Sequence, residues 1–466
     1  MAFVRHKKIN GRIYAYETTS YWDAVTKKPK HRSKYLGLVK EDGAVVKCRA
    51  LIEKLILDFG DGYLVNEYLK NLPLHKALKD VFGKRFDEMN VLLLYKLIEQ
   101  SSMYNCKIWY SGNVASKLYP KADVSSQNTS AILSYLGNET LQRQFFQKYI
   151  KQIGGVKKSI IVDATSLPNQ IHSEFTEWGH GDGGIAKQIR LLCVVDQESK
   201  LPLYYRYLPG NIVDISALKT TLAELAEFGV ESTFALLDAG FFSDENVKEL
   251  YKQKIDFMTR MPASRTMYKE MIGAKNFKIE MSKNVVTVGK RGLFICRRNI
   301  KLYGHKAYAY IVLDPLRKGK ELNELIVESA EEDKKIAAID FNGCGVMILV
   351  SSRKIPTNEV VQSYYIRQSV ERVFGFYKDD LDSLPLRRHN EDTIRGYLFL
   401  QFLVLIIFVK LRTSLERKHT VEQAMMIMRA LKCKVYDSKL IIAELTKEQK
   451  LIIDALGVIV PKTLGI

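Results

Sequence analysis

The order of hydrophobic patterns between Ser159 and Arg260 is the feature that most constrains how this chain can fold. Apolar runs typical of strands alternate there with runs of helical period. In chain order they are strands at 160–162, 189–195 and 203–208, a helix N-capped by Asp214, a strand at 234–237, a helix N-capped by Ser243, and a strand at 255–260. This βββαβαβ order predicts a mixed α/β core, here a mixed five-stranded sheet with flanking helices.

Two of these strands are followed by aspartates. Ile160–Val162 runs straight into Asp163, and Phe234–Leu237 ends in Asp238. Open α/β sheets bind ligands beyond the carboxyl ends of their strands, so both aspartates are candidate site residues. An aspartate in this position can also form a turn or cap a helix, so neither one decides a function alone.

A third carboxylate lies in the segment YYIRQSVERVFGFYK, which starts at Tyr364. In a helix of about 100° per residue, Tyr364, Arg367, Glu371 and Lys378 fall within an arc of about 60°. Apolar residues on the adjoining face would let this helix pack while it presents Glu371 beside cations. The alternative is a surface helix in which Arg367 and Glu371 form an ordinary i, i+4 pair.

Composition indicates a polyanionic partner. The formal charge is +19 and the pI is about 9.4, which favours nucleic acid first and an anionic membrane second. The six cysteines are scattered, which argues against a disulfide framework or a zinc site and fits a reducing cytoplasm. No secretory signal follows Met1. The apolar run Tyr397–Val409 is too short to span a bilayer and predicts a buried helix.

The two regions before the α/β core have different patterns. The first forty residues carry ten Lys or Arg against two acids, and they alternate like short strands around Asn10-Gly11. Helical patterns follow, beginning with Leu51–Phe59. Two later helices, Ser126–Leu136 and Glu139–Ile153, resemble a helix-turn-helix. We therefore expect both regions to bind DNA.

Three carboxylates on a basic α/β protein suggest metal-dependent chemistry. Hard divalent cations prefer oxygen ligands, and a pair of Mg²⁺ ions can activate water and stabilise the leaving oxygen in phosphodiester cleavage. Asp163, Asp238 and Glu371 could supply those ligands. Arg387 and Arg388, just beyond the predicted active helix, form a basic cluster that we expect to contact phosphates.

With these residues the chain resembles a known family, the DDE transposases of bacterial insertion sequences with a Y-x2-R-x3-E-x6-K signature. Tyr364, Arg367, Glu371 and Lys378 keep every spacing of that signature. The resemblance covers roughly 3–412. The other matching passages are Ile161–Ser166, Leu237–Phe241, and Pro209–Asn211 followed by Asp214.

The resemblance implies a ribonuclease-H-like catalytic core interrupted by a β-rich insertion. It implies that Asp163, Asp238 and Glu371 hold two Mg²⁺ ions, with Mn²⁺ as a substitute. Tyr364, Arg367 and Lys378 would contact or position DNA phosphates near the transposon end. Water would first free a 3′-OH, which then attacks target DNA. Two transposon ends imply a homodimeric synaptic complex on double-stranded DNA, in the cytoplasm and associated with the nucleoid.

The predicted organisation has five regions. These are a basic β region (1–45), a helical DNA-binding region (46–154), the catalytic domain (155–262 and 341–412), the β-rich insertion (263–340) and a helical tail (413–466). Three other functions stay open: a metal-dependent nuclease without strand transfer, a catalytically inactive DNA-binding protein derived from a transposon, and, least favoured, a membrane-surface protein.

Overall fold

The structure is a computed structural model that divides the chain into two compact units. Unit 1 comprises Met1–Leu57, Cys433–Ala443 and Lys462–Ile466, and unit 2 comprises Asp58–Lys432 and Glu444–Pro461. The residues described are 2–9, 11–24, 26–39, 43, 45–46, 53–99, 101–154, 157–168, 176–181, 184–211, 214–273, 278–331, 343–367, 391–415, 418–437 and 439–465.

Strands and helices are numbered separately in chain order. The strands are β1 Ala2–Ile9, β2 Arg12–Asp23, β3 Lys28–Val39, β4 Val45–Val46, β5 Leu55–Asp58, β6 Lys157–Pro168, β7 Glu177–Gly181, β8 Gly184–Asp196, β9 Pro202–Pro209, β10 Glu231–Leu237, β11 Asp256–Met261, β12 Val285–Val288, β13 Arg291–Leu302, β14 His305–Leu313, β15 Val346–Ser351, β16 Lys432–Val435, β17 Lys439–Ile442 and β18 Thr463–Gly465. The helices are α1 Gly60–Lys70, α2 Pro73–Phe82, α3 Phe86–Glu99, α4 Cys106–Gly112, α5 Ala115–Leu118, α6 Ser126–Leu136, α7 Glu139–Gln152, α8 Asp214–Glu227, α9 Asp244–Lys252, α10 Thr266–Gly273, α11 Pro315–Glu331, α12 Thr357–Tyr365, α13 Glu391–Ser414, α14 Val421–Arg429 and α15 Lys447–Leu456.

Unit 1 is built on antiparallel strands. β1, β2, β3 and β4 form one sheet in that order, and the turn between β1 and β2 contains Gly11 at φ +80°. The predicted N-terminal strands are therefore confirmed in outline. Of the predicted Asn10-Gly11 turn, Gly11 lies in a turn and Asn10 lies outside the described residues. A second sheet has the order β18-β17-β16-β5.

Unit 2 contains a ten-stranded sheet. Its path is β12-β13-β14-β15-β11-β10-β6-β8-β7, and β9 pairs with β8. β6 lies antiparallel to β8 and parallel to β10, and β10 lies parallel to β11. The sheet is therefore mixed. We call the parallel pairing of β6 with β10, near the centre of the sheet, the parallel seam. The βββαβαβ order is confirmed, with β7 as an additional short strand before β8.

Helices pack apolar faces into the core of unit 2. α13 is long and apolar enough to cross a membrane by length and composition, but most of it is buried inside the protein. Phe399 and Phe402 of α13 contact Phe146 of α7, with ring centroids 6.2 Å and 5.5 Å apart. The prediction of a buried helix over Tyr397–Val409 is therefore confirmed.

Four details of the predicted fold need correction. The sheet has ten strands instead of five, because the strands of the predicted insertion extend the core sheet through the β14–β15 pairing. Leu55–Asp58 is a strand, not part of a helix, because it pairs in the sheet with β16. The predicted helical tail also contains β16, β17 and β18. Asp163 lies within β6, not at its end, because β8 continues to pair with β6 as far as Pro168. The five region boundaries stay predictions.

Candidate active site

Two aspartates come together at the parallel seam of the sheet in unit 2. Val162 of β6 is in register with Leu237 of β10, so Asp163 and Asp238 occupy the next position on neighbouring strands. β10 ends at Leu237, and Asp238 begins a short 3₁₀ turn, whereas β6 continues past Asp163. The first aspartate is consequently 3% exposed, whereas the side chain of the second is 39% exposed.

The end of α12 and the turn that follows it bring two residues of the signature to these carboxylates. Tyr364 lies in the helix, and its backbone carbonyl accepts a hydrogen bond from the Arg367 amide at 3.1 Å. The helix ends at Tyr365, and Ile366 is its C-cap. Arg367 therefore follows the helix in a turn, which directs its side chain back toward the sheet.

The guanidinium of Arg367 contacts both aspartates. Its Nη1 donates to Asp163 Oδ2 at 2.7 Å, and its Nη2 is 3.4 Å from Asp238 Oδ1. The Arg367 side chain is only 16% exposed, so water screens these contacts weakly. A planar guanidinium with several donors is suited to contact two carboxylates at once.

Tyr364 contacts the same carboxylate oxygen of Asp238 that Arg367 approaches. Its hydroxyl donates to Asp238 Oδ1 at 3.3 Å, and its ring lies 5.7 Å from the Arg367 guanidinium carbon. Burial, and then the charge of Asp238, raise the pKa of the Tyr364 hydroxyl well above its usual range. The phenol therefore stays protonated and remains a donor.

Burial dominates the electrostatics of Asp163. It raises the pKa of this carboxyl to about 7, Asp238 raises the pKa as well, and Arg367 lowers it. The Asp163 Oδ1 atom also accepts a hydrogen bond from the Ala164 amide at 2.9 Å. The Arg367 guanidinium thus compensates only part of the desolvation cost of ionising Asp163. Additional positive charge at the site would therefore stabilise the ionised carboxylate.

Thr259 is a residue of the site that the sequence patterns did not indicate. It lies on β11, is 1% exposed, and its hydroxyl donates to the backbone carbonyl of Asp238 at 3.1 Å. It fixes the backbone from which the second carboxylate projects. A small hydroxyl residue directly after the apolar pair Phe257-Met258 was the available signal, since a hydroxyl that is buried in a strand requires a partner.

The remaining predicted site residues are Glu371, Lys378, Arg387 and Arg388, and all four lie outside the described residues. In the part of the chain that the structure describes, no cluster of three or more His, Cys, Asp or Glu side chains gathers as for a metal ion. Asp163, Asp238, Tyr364 and Arg367 are brought together as one constellation.

Comparison with known protein families identifies the domain in which these residues lie. The family model described as "Transposase DDE domain" matches residues 154–407, which is more than half of the chain. The chain belongs to the DDE transposase domain family. In this DDE domain, the matched region contains both aspartates and the signature that begins at Tyr364.

Among solved structures, the DDE domain protein is similar to one described as the cryo-EM structure of a piggyBac transposase synaptic complex with hairpin DNA. The TM-score is 0.40 and the sequence identity is 10%, over 85% of this chain and 79% of the other. No curated protein matches the chain by sequence.

Proposed function

We propose that this protein is an insertion-sequence transposase that binds the terminal inverted repeats of its element and catalyses cleavage and strand transfer of double-stranded DNA. The observation that carries the proposal is the pairing of Asp163 with Asp238 at the parallel seam, where Arg367 contacts both carboxylates. It acts in the cytoplasm on nucleoid DNA, as a homodimer when two transposon ends are joined.

The strand order supports a ribonuclease-H-like core for this reaction. β9, β8 and β6 are successive antiparallel neighbours, and β10 and β11 then add in parallel on the other side of β6. In this arrangement the first and fourth strands of the core lie side by side. They carry Asp163 and Asp238, which explains why residues far apart in sequence can share one site.

The residues at the seam fit a divalent cation. The donors are carboxylate oxygens, which Mg²⁺ and Mn²⁺ prefer. The pKa of Asp163 is raised by burial, so a bound cation would stabilise the ionised form of this carboxylate. Asp163, Asp238 and, by its place in the signature, Glu371 would hold two Mg²⁺ ions. Bound ions of this type activate an attacking oxygen and stabilise charge on the phosphate.

Other residues of the chain position these ligands and the DNA. Tyr364 and Thr259 fix the side chain and the backbone of Asp238, and Arg367 neutralises charge between the two aspartates. A guanidinium in this place is also suited to a DNA phosphate, because it binds phosphate and carboxylate groups with the same donors. Lys378, Arg387 and Arg388 extend this role along the DNA backbone.

The proposed reaction has two steps. In the first, water attacks a phosphodiester at the transposon end, and the broken P–O bond leaves a free 3′-OH. In the second, that hydroxyl attacks a phosphodiester of the target, so one P–O bond forms as another breaks and no water is consumed. Holding both oxygens in line with the phosphorus is the main task of the site.

The test uses a labelled duplex from the end of the element and a target duplex, with MgCl₂ and with EDTA. Wild type is expected to cleave and join only with MgCl₂. Asp238→Asn and Glu371→Gln should bind the end but neither cleave nor join it. Nicks without joined products would support a nuclease instead, and binding without cleavage by wild type would support an inactive DNA-binding protein. Full activity of both variants would overturn the assignment.

A further inference from the structure

The N-terminal sheet of unit 1 presents a basic ribbon to solvent. β1 pairs with β2 only as far as Ala2 opposite Thr19, so beyond Thr19 the described sheet consists of β2 and β3 alone. Every residue of β3 from Lys28 to Tyr35 is exposed. This part of β3 is therefore a surface strand with little apolar packing of its own.

Four cations of β3 form a row on one face. They are Lys28, Lys30, Arg32 and Lys34, which are paired in register with Asp23, Tyr21, Thr19 and Glu17 of β2. Side chains two residues apart in a strand point to the same face at a spacing of about 6.8 Å, so the row spans about 20 Å. Lys30 forms an ion pair with Asp23, and Tyr21 stands on the same face with 51% of its surface exposed.

The opposite face of the same strands is organised differently. Tyr35 contacts Tyr14 and Tyr16, with ring centroids 6.2 Å and 5.5 Å away. Lys7 lies over the Tyr16 ring, 5.2 Å from its centroid. Lys7 on this face is thus engaged with a cluster of aromatic rings, whereas the cations of β3 lie along a line at a regular interval.

We propose that the β3 row, Lys28, Lys30, Arg32 and Lys34, is a phosphate-binding surface with which the β2–β3 ribbon docks on double-stranded DNA. This inference rests on the proposed function and names the surface that holds the DNA. A two-stranded ribbon fits the major groove of B-DNA, which is about 12 Å wide. A regular row of cations complements a regularly charged phosphate backbone.

Cations on an edge strand have a second possible role, which the experiment must distinguish from phosphate binding. Lysine and proline on an exposed edge prevent it from pairing with strands of other chains, and the row contains lysines on either side of Pro29. Removal of the row would then cause self-association and leave DNA affinity unchanged. Removal of a phosphate-binding surface would lower affinity and weaken its salt dependence.

The test compares two triple variants of the full-length chain. Lys28→Gln/Arg32→Gln/Lys34→Gln removes three charges from the row and leaves the Lys30–Asp23 pair intact. Arg5→Gln/Lys7→Gln/Arg12→Gln removes three exposed charges from the opposite face of the same sheet. Binding of a fluorescein-labelled duplex from the element's end is measured by anisotropy at several salt concentrations, and molecular mass by light scattering.

The row variant is expected to bind at least tenfold more weakly than wild type and to reduce the slope of log affinity against log salt by about three. The opposite-face variant should stay within about threefold of wild type at the same salt concentration. Equal weakening of both variants would overturn the proposal in favour of a general charge effect. Wild-type affinity of the row variant, with or without self-association, would also overturn it.

Failure of this inference is distinguishable from failure of the proposed function. If wild type and both variants bind the duplex equally and wild type cleaves it with MgCl₂, the docking surface is wrong and the transposase assignment stands. If wild type neither binds nor cleaves the duplex, the proposed function falls and the docking surface falls with it.

Discussion

The guanidinium of Arg367 donates a 2.7 Å hydrogen bond to the carboxylate of Asp163, which lies 204 residues earlier in the chain. This contact joins the end of α12 to the central strand β6. Because the same guanidinium is 3.4 Å from Asp238, one side chain interacts electrostatically with both aspartates. The loss of Arg367 therefore changes stability and cation binding together.

Asp163→Asn should stabilise the protein at pH 8. Burial raises the pKa of Asp163 from 3.8 to about 7, so the folded state binds more protons than the unfolded state between these values, and stability from this group falls as pH rises through that window. Asn cannot ionise and avoids that loss. The rise in pKa limits the gain to about 4 kcal/mol.

Urea denaturation of both proteins at pH 8 and pH 4 measures this difference. The gain should be largest at pH 8 and should vanish near pH 4. Glu324→Gln, which replaces a carboxylate that is 56% exposed, is the control and should change stability by less than about 0.5 kcal/mol at either pH. A destabilised Asp163→Asn protein at pH 8 would contradict the prediction.

Arg367→Ala should be less stable than wild type without divalent ions and should gain more from MgCl₂. Removal of the guanidinium leaves a buried carboxylate without its ion pair, at a cost of about 3–5 kcal/mol. A divalent cation can then bind the aspartates without competition from Arg367. Thermal unfolding with EDTA and with MgCl₂ gives both quantities.

Arg291→Ala is the matched control for this experiment. Its guanidinium is 64% exposed and 3.5 Å from Asp314, so its removal should cost less than about 1 kcal/mol and leave the MgCl₂ response at the wild-type value. An Arg367→Ala protein with a smaller MgCl₂ response than wild type would show that Arg367 assists the cation instead of competing with it.

Tyr364→Phe should reduce cleavage about tenfold while costing about 1 kcal/mol of stability or less. The substitution keeps the ring beside Arg367 and removes only the hydroxyl that donates to Asp238 Oδ1 at 3.3 Å. Tyr365→Phe, on the neighbouring residue that is 38% exposed, should leave cleavage unchanged. Equal rates for Tyr364→Phe and wild type would remove this hydroxyl from the site.

Gly396→Ala should destabilise unit 2 by about 3 kcal/mol or more. A Cβ atom at Gly396 of α13 would lie 1.7 Å from the carbonyl oxygen of Leu133 in α6, so the two helices would have to separate. Gly319→Ala in α11 is the control. A Cβ there meets nothing within 4 Å, and the higher helix propensity of Ala should add about 0.5–1 kcal/mol.

Thermal unfolding of the two glycine variants tests the close approach of α6 and α13. The opposite signs of the two changes exclude a general effect of replacing glycine in a helix. If Gly396→Ala unfolds at the wild-type temperature, the helices are not in contact at this residue.

Local patterns in the sequence predicted much of the core and part of the site. Apolar strands and capped helices gave the βββαβαβ order, because each element has its own period and end signals. The meeting of Asp163 with Asp238 follows from the parallel pairing of β6 and β10, which no local pattern specifies. The same limit explains why the insertion was not expected to extend the sheet through β14 and β15.

The turn after α12 shows a second limit. Helical period placed Tyr364 and Arg367 on one continuous stripe, whereas the described helix ends at Tyr365 and Arg367 lies in a turn. Tertiary contacts decide this position, since the guanidinium reaches two carboxylates. Thr259 was missed for a related reason, because its partner is a backbone carbonyl distant in sequence.

The position of α13 in the chain has a consequence for protein synthesis. Its aromatic side chains complete a core to which α6 and α7 also contribute. The ribosome synthesises α6 and α7 much earlier than α13. The apolar surface of α6 and α7 consequently stays uncovered until residues 391–414 have left the ribosomal exit tunnel. Polypeptides that terminate before this point lack a core helix, so we expect premature stop codons there to yield chains that chaperones and proteases remove rather than shortened DNA-cutting enzymes.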